Sequence, residues 1–129
     1  MNKVYYPHPD LYDHFTDEER LRWAKNLRET KIEQCFDTMS YGNGTACCLH
    51  IWEIYESNGG EWFYADDKST PHNLENPTHL KSEYLPEELN LAICESGASY
   101  SASYLNDGKS FTFNEIADIL EGKEVVKNV

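Results

Sequence analysis

The sequence predicts a small α+β protein of one domain, with an antiparallel sheet of three to four strands covered by two or three helices. Two capping boxes mark the starts of helices, and a segment with alternating apolar residues, 98–104, marks a strand. A length of 129 residues, 40% of them hydrophobic, is enough for one core. Residues 1–129 are therefore treated as one domain.

The N-terminal third is predicted to hold an extended arm and one helix. Residues 1–15 are aromatic and interrupted by Pro7 and Pro9, which favours an arm lying on the domain. The helix begins at Thr16, whose hydroxyl and Glu19 form a capping box, and it runs to about Gln34. Its predicted buried stripe consists of Leu21, Ala24 and Leu27, with Trp23 alongside.

The segment 46–55 is compatible with two structures. A helix would place Cys48, Ile51, Trp52 and Tyr55 on one face. A strand is favoured by its aromatic residues and by the turn signal in residues 57–60, which would make a hairpin with residues 61–64. The hairpin is the preferred interpretation, and the helix stays open.

The C-terminal half is predicted to alternate between loops, helices and a strand. Residues 66–82 form a polar loop, and a helix opens at Pro86 and extends to Glu95. The strand 98–104 follows, and residues 106–108 turn the chain.

A last helix starts at a second capping box and ends the predicted core. Thr112 and Glu115 form the box, and Phe111 and Ile116 occupy the two positions of a hydrophobic staple. Gly122 is expected to end this helix. Residues 123–129 are predicted to fray. The apolar stripe of the helix consists of Phe113, Ile116, Ala117 and Leu120.

Charge is distributed very unevenly along the chain. The net charge is −12, and residues 35–122, with fifteen acids and three bases, carry all of it. Binding to nucleic acid relies on Lys and Arg, so this balance argues against direct contact with nucleic acid or with an anionic membrane surface. It permits attraction to a basic protein, and the alternative is that an acidic surface serves only to keep the protein in solution.

The leading interpretation is therefore an acidic, non-enzymatic interaction or inhibitor protein. Its carboxylates would imitate the phosphates of DNA and occupy the basic groove of an enzyme that handles nucleic acid. Small acidic domains of this class are frequent among phage and mobile-element proteins that act against host defence, of the anti-restriction and anti-CRISPR type. The predicted interaction residues are Glu53, Glu56, Glu61, Asp66, Asp67, Glu83, Glu87 and Glu88.

The alternative interpretation is a small hydrolase or ligand-binding domain. It would use a His- and Tyr-lined pocket with His50, His72 and Cys94. The flanks of Cys94 lack the glycine pattern of a nucleophile elbow, and no catalytic residue is assigned.

No metal or cofactor is predicted. Cys47, Cys48 and His50, with Cys35 or Cys94, supply zinc-binding atoms, but their spacing fits none of the usual structural zinc sites. The absence of a glycine-rich phosphate loop argues against a nucleotide. The N-terminus has no apolar region typical of a signal peptide, so a cytoplasmic location is expected, with reduced thiols.

Overall fold

The computed structural model describes residues 2–36, 44–60 and 89–128, without the side chains of residues 57 and 58. The predicted fold class is confirmed: the chain is a single small α+β domain with a four-stranded antiparallel sheet and a small two-stranded sheet. The described residues form β1 (Asn2–Pro7), α1 (Pro9–His14), α2 (Asp17–Glu29), β2 (Glu33–Gln34), β3 (Thr45–Ala46), α3 (Cys48–Asn58), β4 (Asn90–Cys94), β5 (Ser99–Ser101), α4 (Ala102–Asp107), α5 (Phe113–Leu120) and β6 (Val125–Asn128).

The four-stranded sheet has the order β5-β4-β1-β6, so the N-terminal strand lies in its interior. Tyr5 of β1 pairs with Cys94 on one side and with Val125 on the other. Its side chain is buried and meets the ring of Phe111 edge-on, at 5.0 Å between centroids. The prediction of an extended arm over residues 1–15 is wrong because this segment supplies an interior strand and a helix.

The C-terminal segment is also part of the sheet. Val126 pairs with Val4 and Lys127 pairs with Lys3, so β6 forms an edge of the sheet beside β1. The prediction that residues 123–129 fray is wrong for the described part of that segment. Two β-branched valines favour a strand, and β1 supplies the hydrogen-bonding partner.

Helix α2 begins as predicted but ends earlier. Thr16 accepts a hydrogen bond from the amide of Glu19 at 3.1 Å, and Glu19 accepts one from the amide of Thr16 at 2.9 Å. The helix ends at Glu29 and not near Gln34, since Thr30 has extended backbone angles. Leu21 is 47% exposed, so the buried face differs from the predicted stripe; it consists of Arg20, Trp23, Ala24 and Leu27.

Residues 48–58 form helix α3. The preferred prediction of a hairpin is therefore wrong, and the alternative prediction of a helix is correct. The glycines that suggested a hairpin turn end this helix instead. Gly59 has a φ of 64°, in the left-handed region, and the amide of Gly60 donates to the carbonyl of Ile54 at 3.1 Å. A left-handed glycine after the last helical residue is a common way to end a helix.

The region 89–107 differs from its prediction in two elements. Residues 90–94 form strand β4 and not the end of a helix, because the apolar run pairs with the interior strand β1. The strand predicted over 98–104 is shortened to β5, and Ala102 begins helix α4. The hydroxyl of Ser101 accepts from the amide of Tyr104 at 3.4 Å, which caps this helix.

Helix α5 has the structure that the sequence predicts. Thr112 and Glu115 form the capping box, and Phe111 and Ile116 are both fully buried as a staple requires. Gly122 follows the helix with a φ of 91°. The helix packs closely against α2, and its predicted apolar residues are all buried: Phe113, Ile116, Ala117 and Leu120.

Asn106 joins three segments of the core through its buried amide. Its oxygen accepts from the side chain of Gln34 at 2.8 Å and from the amide of Cys48 at 3.1 Å. Its nitrogen donates to the carbonyl of Cys35 at 2.9 Å and to Asp107 at 2.7 Å. This one side chain therefore connects β2, the start of α3 and α4.

Candidate functional site

Helix α3 carries the first two predicted interaction residues, and they differ in exposure. Residues 48–54 are buried all around the helix, so this segment is enclosed by the domain. Glu53 and His50, three residues apart, are both 0% exposed. The expectation that Glu53 lies on an exposed acidic surface is therefore wrong, because it was based on a hairpin with one solvent face.

Glu56 lies at the end of α3 and is paired with a base of the chain itself. Its two carboxylate oxygens accept from Arg22, at 2.9 Å from Nε and 2.7 Å from Nη2. Such two-pronged pairs between a guanidinium and a carboxylate are stronger and more directional than single hydrogen bonds. Most of the charge of Glu56 is therefore balanced by α2. The other predicted interaction residues lie outside the described residues: Glu61, Asp66, Asp67, Glu83, Glu87 and Glu88.

The residues of the alternative pocket are only partly described. Cys94 is buried on β4 and pairs with Tyr5, while His50 is enclosed in the first turn of α3. His72 lies outside the described residues. Within the described ranges, His50 and Cys94 thus belong to different elements and neither reaches the surface.

In the folded protein, the adjacent thiols Cys47 and Cys48 are poor nucleophiles. Burial raises the pKa of Cys47 to about 12 and raises the pKa of Cys48 well above its usual value. Because the thiolate is the reactive form, both thiols are protonated and poorly reactive at neutral pH. In the parts of the chain that the structure describes, no three His, Cys, Asp or Glu side chains converge on a possible metal position.

All three arginines of the chain are bonded to the chain's own oxygen atoms. The buried Arg20 donates to the carbonyl of Leu120 and to Asp17, and Arg22 binds Glu56. Arg28 on α2 binds two acids near the end of α5, Asp118 and Glu121. Sequence reasoning noted these bases on α2 but missed their partners, which come from helices distant in the chain.

These pairs have two consequences for the electrostatics of the domain. The guanidinium groups fix α2 against α3 and α5, and they are not available to bind phosphates. Two lysines are used in the same way: Lys123 bonds Glu121 and Lys127 bonds Glu115. The three arginines therefore neutralise acids of the chain itself and do not form a separate basic patch.

The ion pair between Arg28 and Glu121 should make the stability of the protein depend on pH. Hydrogen bonding to Arg28 lowers the pKa of Glu121 from 4.5 to about 2, against the opposing effect of burial and with help from Lys123. A carboxyl group whose pKa is lower in the folded state than in the unfolded state stabilises the protein at pH values above the unfolded pKa. This stabilisation is lost as the pH falls through the pKa of the folded state. We expect the free energy of unfolding to decrease between about pH 5 and pH 2, by about 1–2 kcal/mol from this group after screening by solvent.

Urea unfolding of the wild type and of Arg28→Met at a series of pH values measures this contribution. In Arg28→Met, the decrease across the acidic range should be smaller. Lys25→Met is the matched control, because Lys25 is exposed on the same helix. Identical pH profiles for wild type and Arg28→Met would contradict the assigned role of the pair.

Comparison with known proteins identified no relative of this chain. No family model matches the chain, and no curated protein or solved structure matches it.

Proposed function

We propose that this protein is a non-enzymatic inhibitor that binds a basic protein through its excess of carboxylates. The observation that supports this most is the excess of negative charge in one part of the sequence. Residues 35–122 carry a net charge of −12, while every arginine is bound within the molecule. A surface with excess acid attracts a basic surface and speeds its association.

The partner we propose is an enzyme that handles nucleic acid. Such enzymes bind phosphates with grooves of Lys and Arg, and carboxylates spaced along a protein surface can occupy the same groove. Binding of the inhibitor and of DNA would then exclude each other. By competing with DNA in this way, the protein would act as an inhibitor of the anti-restriction or anti-CRISPR type.

The proposed contact residues are the predicted interaction residues that remain after two of them are removed. Glu53 is omitted because it is buried, and Glu56 because it is paired with Arg22. The remaining set is Glu61, Asp66, Asp67, Glu83, Glu87 and Glu88.

A cytoplasmic location suits this proposal, since enzymes acting on nucleic acid work there. Among the described helices, none combines the length and the apolar character needed to cross a membrane.

Displacement from DNA tests the proposal directly. Proteins from a cell lysate are bound to DNA-agarose, and the full chain is added at low salt as the eluting agent. We expect it to release a small set of basic proteins, which mass spectrometry identifies. Release should weaken as salt is raised, because screening shortens electrostatic attraction to about 8 Å at physiological ionic strength.

Two triple variants separate a specific surface from net charge alone. In the first variant, lysine replaces Glu61, Asp66 and Asp67 of the proposed site. In the second variant, lysine replaces Asp13, Glu29 and Glu33, which makes the same change of charge at exposed positions elsewhere. We expect the first variant to lose the ability to release the DNA-bound proteins and the second to keep most of it. Equal behaviour of the two variants, or no release by the wild type, would reject the proposal; circular dichroism checks that each variant is folded.

A further inference from the structure

The small two-stranded sheet brings two cysteines side by side. Glu33 pairs with Thr45 and Gln34 pairs with Ala46 in parallel register. The amide of Cys35, the residue after β2, donates to the carbonyl of Ala46 at 2.9 Å and completes the pairing of Gln34 with Ala46. The next residues in this register are Cys35 and Cys47.

The backbone around both cysteines supports this juxtaposition. Cys47 has extended angles, φ −84° and ψ 174°, so the chain keeps its strand direction up to the start of α3. The side-chain amide of Asn106 bonds both the carbonyl of Cys35 and the amide of Cys48, and it joins the two segments in place of the next direct backbone bond. Both Cys35 and Cys47 are buried.

The expected spacing suits a covalent bond between the two sulfurs. Neighbouring strands lie about 4.7–4.9 Å apart, and the Cα atoms of a disulfide are usually about 4.4–6.8 Å apart. Residues opposite one another in a parallel pair project to the same face of the sheet. We therefore expect the sulfurs of Cys35 and Cys47 to lie on one side of β2 and β3.

The other two cysteines are placed differently, although Cys48 directly follows Cys47. The Cys48 thiol is directed to the carbonyl of Ala102 on α4, at 3.5 Å. Cys94 lies in the other sheet, opposite Tyr5. Of the possible pairings among the four cysteines, the register favours one.

We propose that Cys35 and Cys47 are a disulfide-forming pair, reduced in the structure and oxidised by a small-molecule disulfide such as oxidised glutathione. One thiolate attacks the oxidant and releases one thiol, and the second thiolate then displaces the other. Two S–H bonds are lost and one S–S bond is formed, while the two electrons and two protons pass to the oxidant, which becomes two thiols. The bond would close the eleven intervening residues into a covalent loop.

The buried setting determines how quickly this reaction proceeds. The pKa of Cys47 is raised to about 12 by burial, so little thiolate is present in the folded protein at neutral pH. Thiol–disulfide exchange needs the thiolate and access to the oxidant. Oxidation should therefore be slow in the folded chain, faster at alkaline pH, and most rapid when the chain refolds in the presence of the oxidant.

The experiment refolds the full chain in a buffer of reduced and oxidised glutathione at pH 8.5. Remaining thiols are blocked under denaturing conditions, and the intact mass and the digested peptides are measured. We expect one species that carries two blocking groups, where the fully reduced chain carries four, with a peptide that links Cys35 to Cys47 and with Cys48 and Cys94 blocked. A chain that stays fully reduced, or a mixture of linkages, would overturn the proposal.

Two adjacent variants provide the matched control. Cys47→Ala should abolish the internal disulfide, and Cys48→Ala should retain it with the same linkage. A shift of the bond to Cys48 in Cys47→Ala, at a yield similar to the wild type, would show that proximity along the chain and not the register selects the pair. The linkage in the wild type decides the question even where a variant fails to fold.

Discussion

Replacement of Asn106 by leucine is expected to lower the free energy of unfolding by about 3–5 kcal/mol, because several buried polar groups lose their partner at once. The amide of Cys48 and the carbonyl of Cys35 are both bonded to the Asn106 side chain, and Gln34 loses one of its acceptors. A buried polar group without a partner costs about 1–3 kcal/mol. Leucine has a similar size, so the effect comes from hydrogen bonds more than from volume.

Chemical denaturation with linear extrapolation measures this change. Asn114→Leu is the matched control, because Asn114 is exposed on α5 and its described bond, to Arg28, is long at 3.5 Å. That variant should differ from the wild type by no more than about 0.5 kcal/mol. Equal stability of the two variants would mean that the Asn106 network is not formed in solution.

Features that depend on neighbouring residues were predictable from the sequence. Both capping boxes are correct because Thr16 and Thr112 each bond an amide three residues away. The buried face of α5 follows from apolar residues at helical spacing. These patterns need no knowledge of the rest of the chain.

Features that depend on distant partners were not predictable. The pairing of Val4 with Val126 joins the two ends of the chain, and neither end has a local signal strong enough to show it. The sequence before Gly59 fits both a hairpin and a helix, since glycine with positive φ serves a turn and a helix end equally well. Packing of α3 on all sides decided between them.

The same limits apply to the candidate site. The excess of acid can be counted in the sequence, and it argues against direct contact with nucleic acid on general grounds. Which acids are available to a partner depends on helix faces and on ion pairs. The burial of Glu53 and the bond between Glu56 and Arg22 follow from the packing of helix α3. The sequence favoured a hairpin at this position, so neither feature could be predicted.

Truncation of Ile116 to alanine should have an effect comparable with that of Asn106→Leu, by a different mechanism. Ile116 is fully buried in the main core, on the helix that packs most closely against α2. Removal of its outer methyl groups loses their transfer free energy and leaves a cavity, which together cost about 2–5 kcal/mol for isoleucine in a core.

Two further variants show whether the loss comes from buried volume. Ile116→Val removes one methylene and should cost about 0.5–1.5 kcal/mol. Val126→Ala changes an apolar residue of β6 that is 51% exposed, and it should alter stability by no more than about 0.5 kcal/mol. Denaturation midpoints in the order Val126→Ala, Ile116→Val, Ile116→Ala, from highest to lowest, would agree with a structural role for α5. An Ile116→Ala midpoint equal to that of the wild type would mean that this face of α5 is exposed in solution and available to a partner.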